Sequence, residues 1–179
     1  AHIEAIAALL ERQGVCVLRN ASTSIRLRGQ DVVIAGVDDP YLELADLDKA
    51  LGGATRSRPL VLLAHAPSIA PLLPPGAAGV VLTGHTHGGQ VRLSPFTTLT
   101  PLDISFYLDG LYRRPHSPLQ RGFHWVRGSL LYVTNGLGVT RWRMRFMSPP
   151  EAVILHFTAT PADPDAPCDD VRRYVRWLR

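Results

Sequence analysis

"AGVVLTGHTHGGQV", residues 78–91, decides how this chain is read. An unalternated apolar run ends at Gly84 and opens into His85, Thr86 and His87, after which Gly88 and Gly89 free the backbone for a tight turn. "PLVLLAH", residues 59–65, has the same design: an apolar run of strand length that stops on His65. Runs of this kind suit strands covered on both faces, as in a parallel sheet. If the two strands are neighbours, both imidazoles emerge at the carboxyl edge of one sheet, where open α/β sheets build their sites. His87 joins them from the turn.

Outward from this centre the pattern is mixed. Residues 1–14, "AHIEAIAALLERQG", repeat Ile3, Ile6, Leu9 and Leu10 at helical spacing. "VCVLRN", "SIRLRG" and "DVVIAGV" are short β-rich runs separated by turn residues, and a helix is expected over residues 43–51, ending at Gly52 and Gly53. "PSIAPLLPPG" reads as a short helix or turn between the two histidine strands. Residues 94–120 carry four prolines and no clear period, which predicts a long irregular loop, and such loops are commonly functional. "FHWVRG", "SLLYVTNG" and "EAVILHFT" read as strands again. The expected organisation is one domain over residues 1–158, a Pro/Asp/Ala linker over 159–168, and a basic amphipathic helix over 169–179. The fold class is α/β: a layered mixed sheet or sandwich with flanking helices.

At 179 residues, with 46% hydrophobic and 19% charged residues, the chain can bury a core and is not a disordered sequence. No run is apolar enough to span a bilayer, and no signal-peptide pattern opens the chain. Cys16 and Cys168 suggest no disulfide framework. The net charge of +4 comes almost wholly from arginine, since Lys49 is the only lysine. Eight arginines face only Asp103 and Asp109 between residues 92 and 145, which suits an anionic partner. The tail helix can associate with an anionic membrane surface or dock on its own domain.

Three imidazoles converging on one sheet edge point to a metal site, because neutral imidazole binds Zn, Fe, Mn or Ni. His85 and His87, one residue apart on a tight turn, chelate a single ion poorly but can face two adjacent ions. His116, His124 and His156 have no spacing partner and read as structural.

"LLAHAP" followed by "LTGHTHGGQV" resembles the last two metal-binding blocks of the calcineurin-like metallophosphoesterases. "IAGVDDP", "FYLDGLY", "LYVTNGLGVTRWRMRF" and "PPEAVILHF" are similar to one branch of that family, the membrane-associated bacterial phosphohydrolases that include enzymes acting on lipid A precursors. The resemblance covers most of residues 1–158. It implies two divalent ions (Mn, Fe, Zn or Ni) about 3.5 to 4 Å apart, with His65 and His85 on one and His87 on the other. It also implies a phosphorylated small-molecule or lipid-linked substrate, attack by hydroxide on phosphorus, and arginines steadying the phosphoryl oxygens. Membrane association or export of the full-length protein is part of the same expectation.

Two dications need carboxylates, and the family takes them from Asp-x-His, Gly-Asp and Gly-Asn-His blocks that this sequence does not contain. The catalytic histidine of the third block cannot be assigned to His2, which lacks its flanking residues, so the catalytic residue stays unknown. The expectation is therefore a C-terminal portion of a longer enzyme, beginning after the third block, with half a site. Such a fragment should be inactive or nearly so, and prone to aggregate through unpaired strand edges. Asp38 and Asp39, after the "VVIAGV" run, are candidates for the substrate side of the site or for its support, as are Asn135 and Arg145; Tyr107 and Tyr112 are candidates for the groove.

Three other readings compete. A metallo-β-lactamase-like enzyme also uses His-x-His, but an Asp-His pair should follow where Gly88, Gly89 and Gln90 stand. A non-catalytic metal- or ligand-binding relic of the same fold fits the absent carboxylates. A nucleic-acid binder rests on the arginines alone, with no base-reading motif, and no nucleic-acid partner is expected.

Overall fold

Ala35, Leu62, Val81 and Leu131 form one rung across the sheet, paired Ala35 to Leu62, Leu62 to Val81 and Val81 to Leu131, and all four are fully buried. The computed structural model describes residues 2–27, 29–52, 59–92, 119–140 and 143–155. Among these, α1 (His2–Arg12) precedes β1 (Ala21–Leu27), β2 (Gln30–Gly36), α2 (Leu47–Leu51), β3 (Leu60–Leu63), β4 (Val80–Thr83), β5 (Gly122–Val126) and β6 (Ser129–Val133). The six strands form one mixed sheet in the order β1-β2-β3-β4-β6-β5. Its four inner strands are parallel, and the two outer strands run antiparallel to their neighbours. Each outer strand returns by a tight hairpin. Arg127 and Gly128, with φ of 51° and 79°, make the positive-φ turn that matches strand twist between β5 and β6.

The inner strands carry β-branched and leucine side chains because both faces of a parallel sheet are normally covered. Here one face is. Val33, Leu60, Leu62, Val81, Leu131 and Val133 pack under Ile69, Ala70, Leu73 and Ala78, which come from the short 3-10 helix Pro67–Leu72 and the residues after it. The opposite face carries the rung Gly36, Leu63, Leu82 and Tyr132. It is covered less well: Leu63 is 40% exposed although its strand lies inside the sheet. Ile3, Ile6 and Leu9 of α1 are also more than half exposed. The expectation of strands covered on both faces therefore holds fully for one face; on the other Val61 and Tyr132 are buried but Leu63 is not.

Several elements differ from the sequence reading. "VCVLRN" is not a strand, because its end is held by side chains and not by a ladder: Arg19 and Asn20 spend their polar atoms on Asp38, Leu44 and Asp46. The helix expected over 43–51 is shorter: only α2 is helical, and a separate 3-10 turn at Pro40–Leu42 precedes it. Glu43, at a φ of 61°, stands between them, and α2 begins from Asp46, whose carboxylate caps the Lys49 N–H at 2.9 Å. Residues 151–155 of the expected final strand have no regular structure, since Glu151 turns its carboxylate back to β6. The remainder of that strand, most of the 94–120 loop with Tyr107, Tyr112 and His116, the linker and the tail helix lie outside the described residues. No described helix is long and apolar enough to cross a membrane.

Candidate metal centre

Asp38, His65, His85 and Asn135 each stand two residues beyond the end of a parallel strand, β2, β3, β4 and β6 respectively. Parallel hydrogen bonding continues past the strands and fixes these backbones side by side. Ala64 N–H donates to Leu82 at 3.0 Å, Gly84 N–H to His65 at 3.0 Å and Thr134 N–H to Thr83 at 2.9 Å. The sheet thus places the histidine strands as neighbours, the condition under which both imidazoles emerge at one edge.

His65 Nε2 and His85 Nδ1 are 2.9 Å apart, with ring centroids at 4.7 Å and planes inclined by 66°. Two nitrogens bonded at about 2.1 Å to one ion, at right angles to each other, stand about 3.0 Å apart. The pair therefore fits a shared divalent ion. Burial pushes the His85 imidazole below its usual range, helped by His65 and His87 and opposed by Asp39. The neutral ring, the form that ligates a metal, is thereby favoured.

His87 is held apart from this pair. Its Nδ1 lies 3.1 Å from the Gly138 carbonyl and its Nε2 lies 3.1 Å from Thr140 Oγ1. A carbonyl only accepts, so Nδ1 carries the proton and Nε2 keeps the lone pair, the arrangement that metal-ligating histidines show. Among the described residues no three His, Cys, Asp or Glu side chains converge on one point. The rings stand as a pair and a separate ring, because the turn between them swings His87 toward the loop after β6.

That turn is strained. His85 and His87 have φ of 69° and 53°, followed by Gly88 at 65° and Gly89 at 67°. Left-handed conformations cost a non-glycine residue about 1 kcal/mol or more and concentrate at functional sites. Thr86 supports the turn, with its hydroxyl donating to Gln120 at 2.6 Å and accepting from Gly88 N–H at 3.2 Å.

The remaining candidates occupy distinct places. Asp38 receives a bidentate contact from Arg19, at 3.1 and 3.0 Å, and so belongs to an ion pair that also includes Glu4. Asp39 is the member of the pair whose charge acts on His85. Asn135 is buried, with Oδ1 directed into the turn against Gly88 and not toward a groove. Arg145 donates through all three guanidinium nitrogens to the carbonyls of His87, Asn135, Gly136, Gly138 and Ser148. It braces the backbone under the site instead of steadying a phosphoryl group. His124 contacts the carbonyl of Arg121 in its own strand region. Beside His65 a cleft of about 260 Å³ opens among Leu18, Val37, Leu63 and Leu82.

Sequence reasoning missed Gln90, Thr140, Ser148 and Glu151, whose side-chain bonds to the site loops span 16 to 61 residues. Gln90 closes the "GHTHGGQ" run, and Thr140 and Glu151 lie in the "LYVTNGLGVTRWRMRF" and "PPEAVILHF" stretches, but nothing there singled them out.

Sheet and histidines together define an α/β protein with a candidate metal-binding edge. By sequence the chain matches several proteins named metallophosphoesterase over most of its own length. It is 31% identical to the uncharacterized metallophosphoesterase YkuE of Bacillus subtilis over 85% of this chain and 50% of that protein. It is 33% identical to a transmembrane protein with metallophosphoesterase domain of Danio rerio, over 83% of this chain and 33% of that protein. To the UDP-2,3-diacylglucosamine pyrophosphatase LpxG of Chlamydia muridarum it is 34% identical, over 78% of this chain and 40% of that protein. The chain spans about half the length, or less, of these curated relatives. No family model and no solved structure matches it.

Proposed function

We propose that this chain supplies the histidine side of a two-metal hydrolase that cleaves a phosphate ester or pyrophosphate bond. The observation that carries the reading is the 2.9 Å approach of His65 Nε2 and His85 Nδ1 at the carboxyl edge of adjacent parallel strands. His65 and His85 would hold one divalent ion and His87, through Nε2, the other. Divalent ions at such a site polarise phosphoryl oxygens and acidify water. The chain's own part is to present His85 neutral, to fix the His87 tautomer through Gly138, and to keep Asp39 close enough to act on His85. Arg145 keeps the carbonyls of the two site loops together. A phosphorylated small-molecule or lipid-linked substrate is in keeping with the relative LpxG, whose name gives it a nucleotide-linked diacyl sugar pyrophosphate. Association of the full-length protein with a membrane surface belongs to the same reading.

The test is metal content of the full-length protein after exposure to Mn²⁺, with hydrolysis of a generic phosphodiester followed in the same samples. Two bound ions and a turnover that falls roughly a hundredfold or more in His85→Asn, but not in His124→Asn, are the expected result. A second reading, a metal- or ligand-binding relic without catalysis, draws on the absence of any convergent His/Cys/Asp/Glu trio among the described residues. Bound metal without turnover would select it.

A further inference from the structure

Gln90 is 1% exposed and lies at the base of the loop that follows β6. Its Oε1 accepts the Thr140 N–H at 2.8 Å, and its Nε2 donates to the carbonyls of Thr140 at 3.1 Å and Met144 at 3.0 Å. Through this one amide Thr140 and Met144 are tied to the chain three residues beyond His87. The segment 138–144 supplies both groups that touch the His87 ring, the Gly138 carbonyl on Nδ1 and the Thr140 hydroxyl on Nε2. With Nδ1 protonated, a neutral ring can only accept at Nε2, so the Thr140 hydroxyl donates to the lone pair that would otherwise be open.

We propose that Gln90 is a positioning residue that sets the tautomer of His87 through the 138–144 loop, and that the Thr140 hydroxyl competes with a metal ion for His87 Nε2. The second half rests on the metal reading above; the first does not. Gln90 touches neither a substrate nor a metal in this scheme. It acts by anchoring Thr140, two residues beyond the Gly138 carbonyl that Arg145 also holds, so that only an Nδ1–H tautomer is matched. A ring freed from that carbonyl has no such constraint, and its nitrogens exchange roles. Loop and ion are then alternatives at one nitrogen, so loading the site releases the Thr140 hydroxyl.

Ring ¹⁵N shifts of His87 in metal-free, full-length protein, assigned by their loss in His87→Asn, report the tautomer directly. The expected result is Nδ1–H in the wild type and in Thr140→Val, and a shift toward Nε2–H in Gln90→Met, which keeps the buried volume and removes the three amide contacts. An Nε2–H wild type, or a folded Gln90→Met variant that keeps Nδ1–H, overturns the positioning role. If Gln90→Met fails to fold, Gln90→Glu, which retains the Thr140 N–H contact, is read in the same way. Calorimetric titration with Mn²⁺ decides the competition. Thr140→Val, at an exposed position, should bind about three- to tenfold tighter than wild type. Equal or weaker binding overturns the competition, whereas absence of binding by the wild type removes the metal reading and leaves the ¹⁵N result to judge Gln90.

Discussion

The Tyr132 hydroxyl donates to Glu151 Oε1 at 2.6 Å while Glu151 Oε2 accepts the Asn135 N–H at 2.9 Å, so one carboxylate locks the end of β6 and the residues just after it to a more distant part of the chain. Burial, and then the hydrogen bond and charge of Glu151, push the Tyr132 phenol above its ordinary value. An unfolded tyrosine ionises near pH 10. Below that pH the phenol is neutral in both states and the contribution of this bond to stability is complete. Above it the unfolded chain loses its proton first, and stability falls as pH rises. Denaturation midpoints measured between pH 9 and pH 12 should therefore drop more steeply in the wild type than in Tyr132→Phe. Parallel profiles would show that the bond does not couple to folding.

Gly88 and Gly138 give a paired test of the strained turn. A Cβ on Gly88 would lie 2.2 Å from Asn135 Oδ1 and 2.8 Å from Ser148 Oγ, at a φ of +65°, whereas a Cβ on Gly138 meets nothing within 4 Å. Gly88→Ala should lower stability by roughly 2 kcal/mol or more. Gly138→Ala should stay within about 0.5 kcal/mol. Urea denaturation of the two variants side by side checks this, and equal effects would refute it.

Arg145 is a planar fork whose donors meet five carbonyls from both site loops. A lysine keeps the charge but has three donors on a single nitrogen, which cannot span that set. Arg145→Lys is expected to cost roughly 1–3 kcal/mol in the same assay. An unchanged midpoint would mean that the loops hold together without it.

The poorly covered sheet face gives a prediction about solution behaviour. With Leu63 and the apolar residues of α1 exposed, the isolated 179-residue chain should self-associate, as seen by size-exclusion chromatography with light scattering. Leu63→Lys should raise the monomer fraction. A distribution that does not respond would assign association to the strand edges, and a monodisperse wild-type monomer would remove the prediction.

The inner sheet was legible in the sequence because unalternated apolar runs have few other uses, and two of them end on histidines. The adjacency of β3 and β4 was a condition of that reading, and the sheet meets it. The backbone that separates His87 from the other two rings was not legible, because it depends on positive φ at His85 and His87, residues that seldom adopt it. Asn20, Arg19 and Glu151 were invisible for another reason. Their side chains replace ladder hydrogen bonds with long-range contacts, so "VCVLRN" and "EAVIL" carry strand-like composition without strand pairing. Arg145 shows the same limit from the other side: its charge suggested an anion, and its geometry spends that charge on carbonyl groups.

Neighbouring parallel strands stand about 4.8 Å apart, and that pitch sets the spacing of the residues two positions past each strand end. The row Asp38, His65, His85 and Asn135 is thus graduated by the backbone, like marks on a ruler. Exchanging the side chain at one mark changes the chemistry there and leaves the intervals untouched. Inserting a residue between a strand end and its mark does the reverse, moving a ligand off the scale while every side chain stays the same.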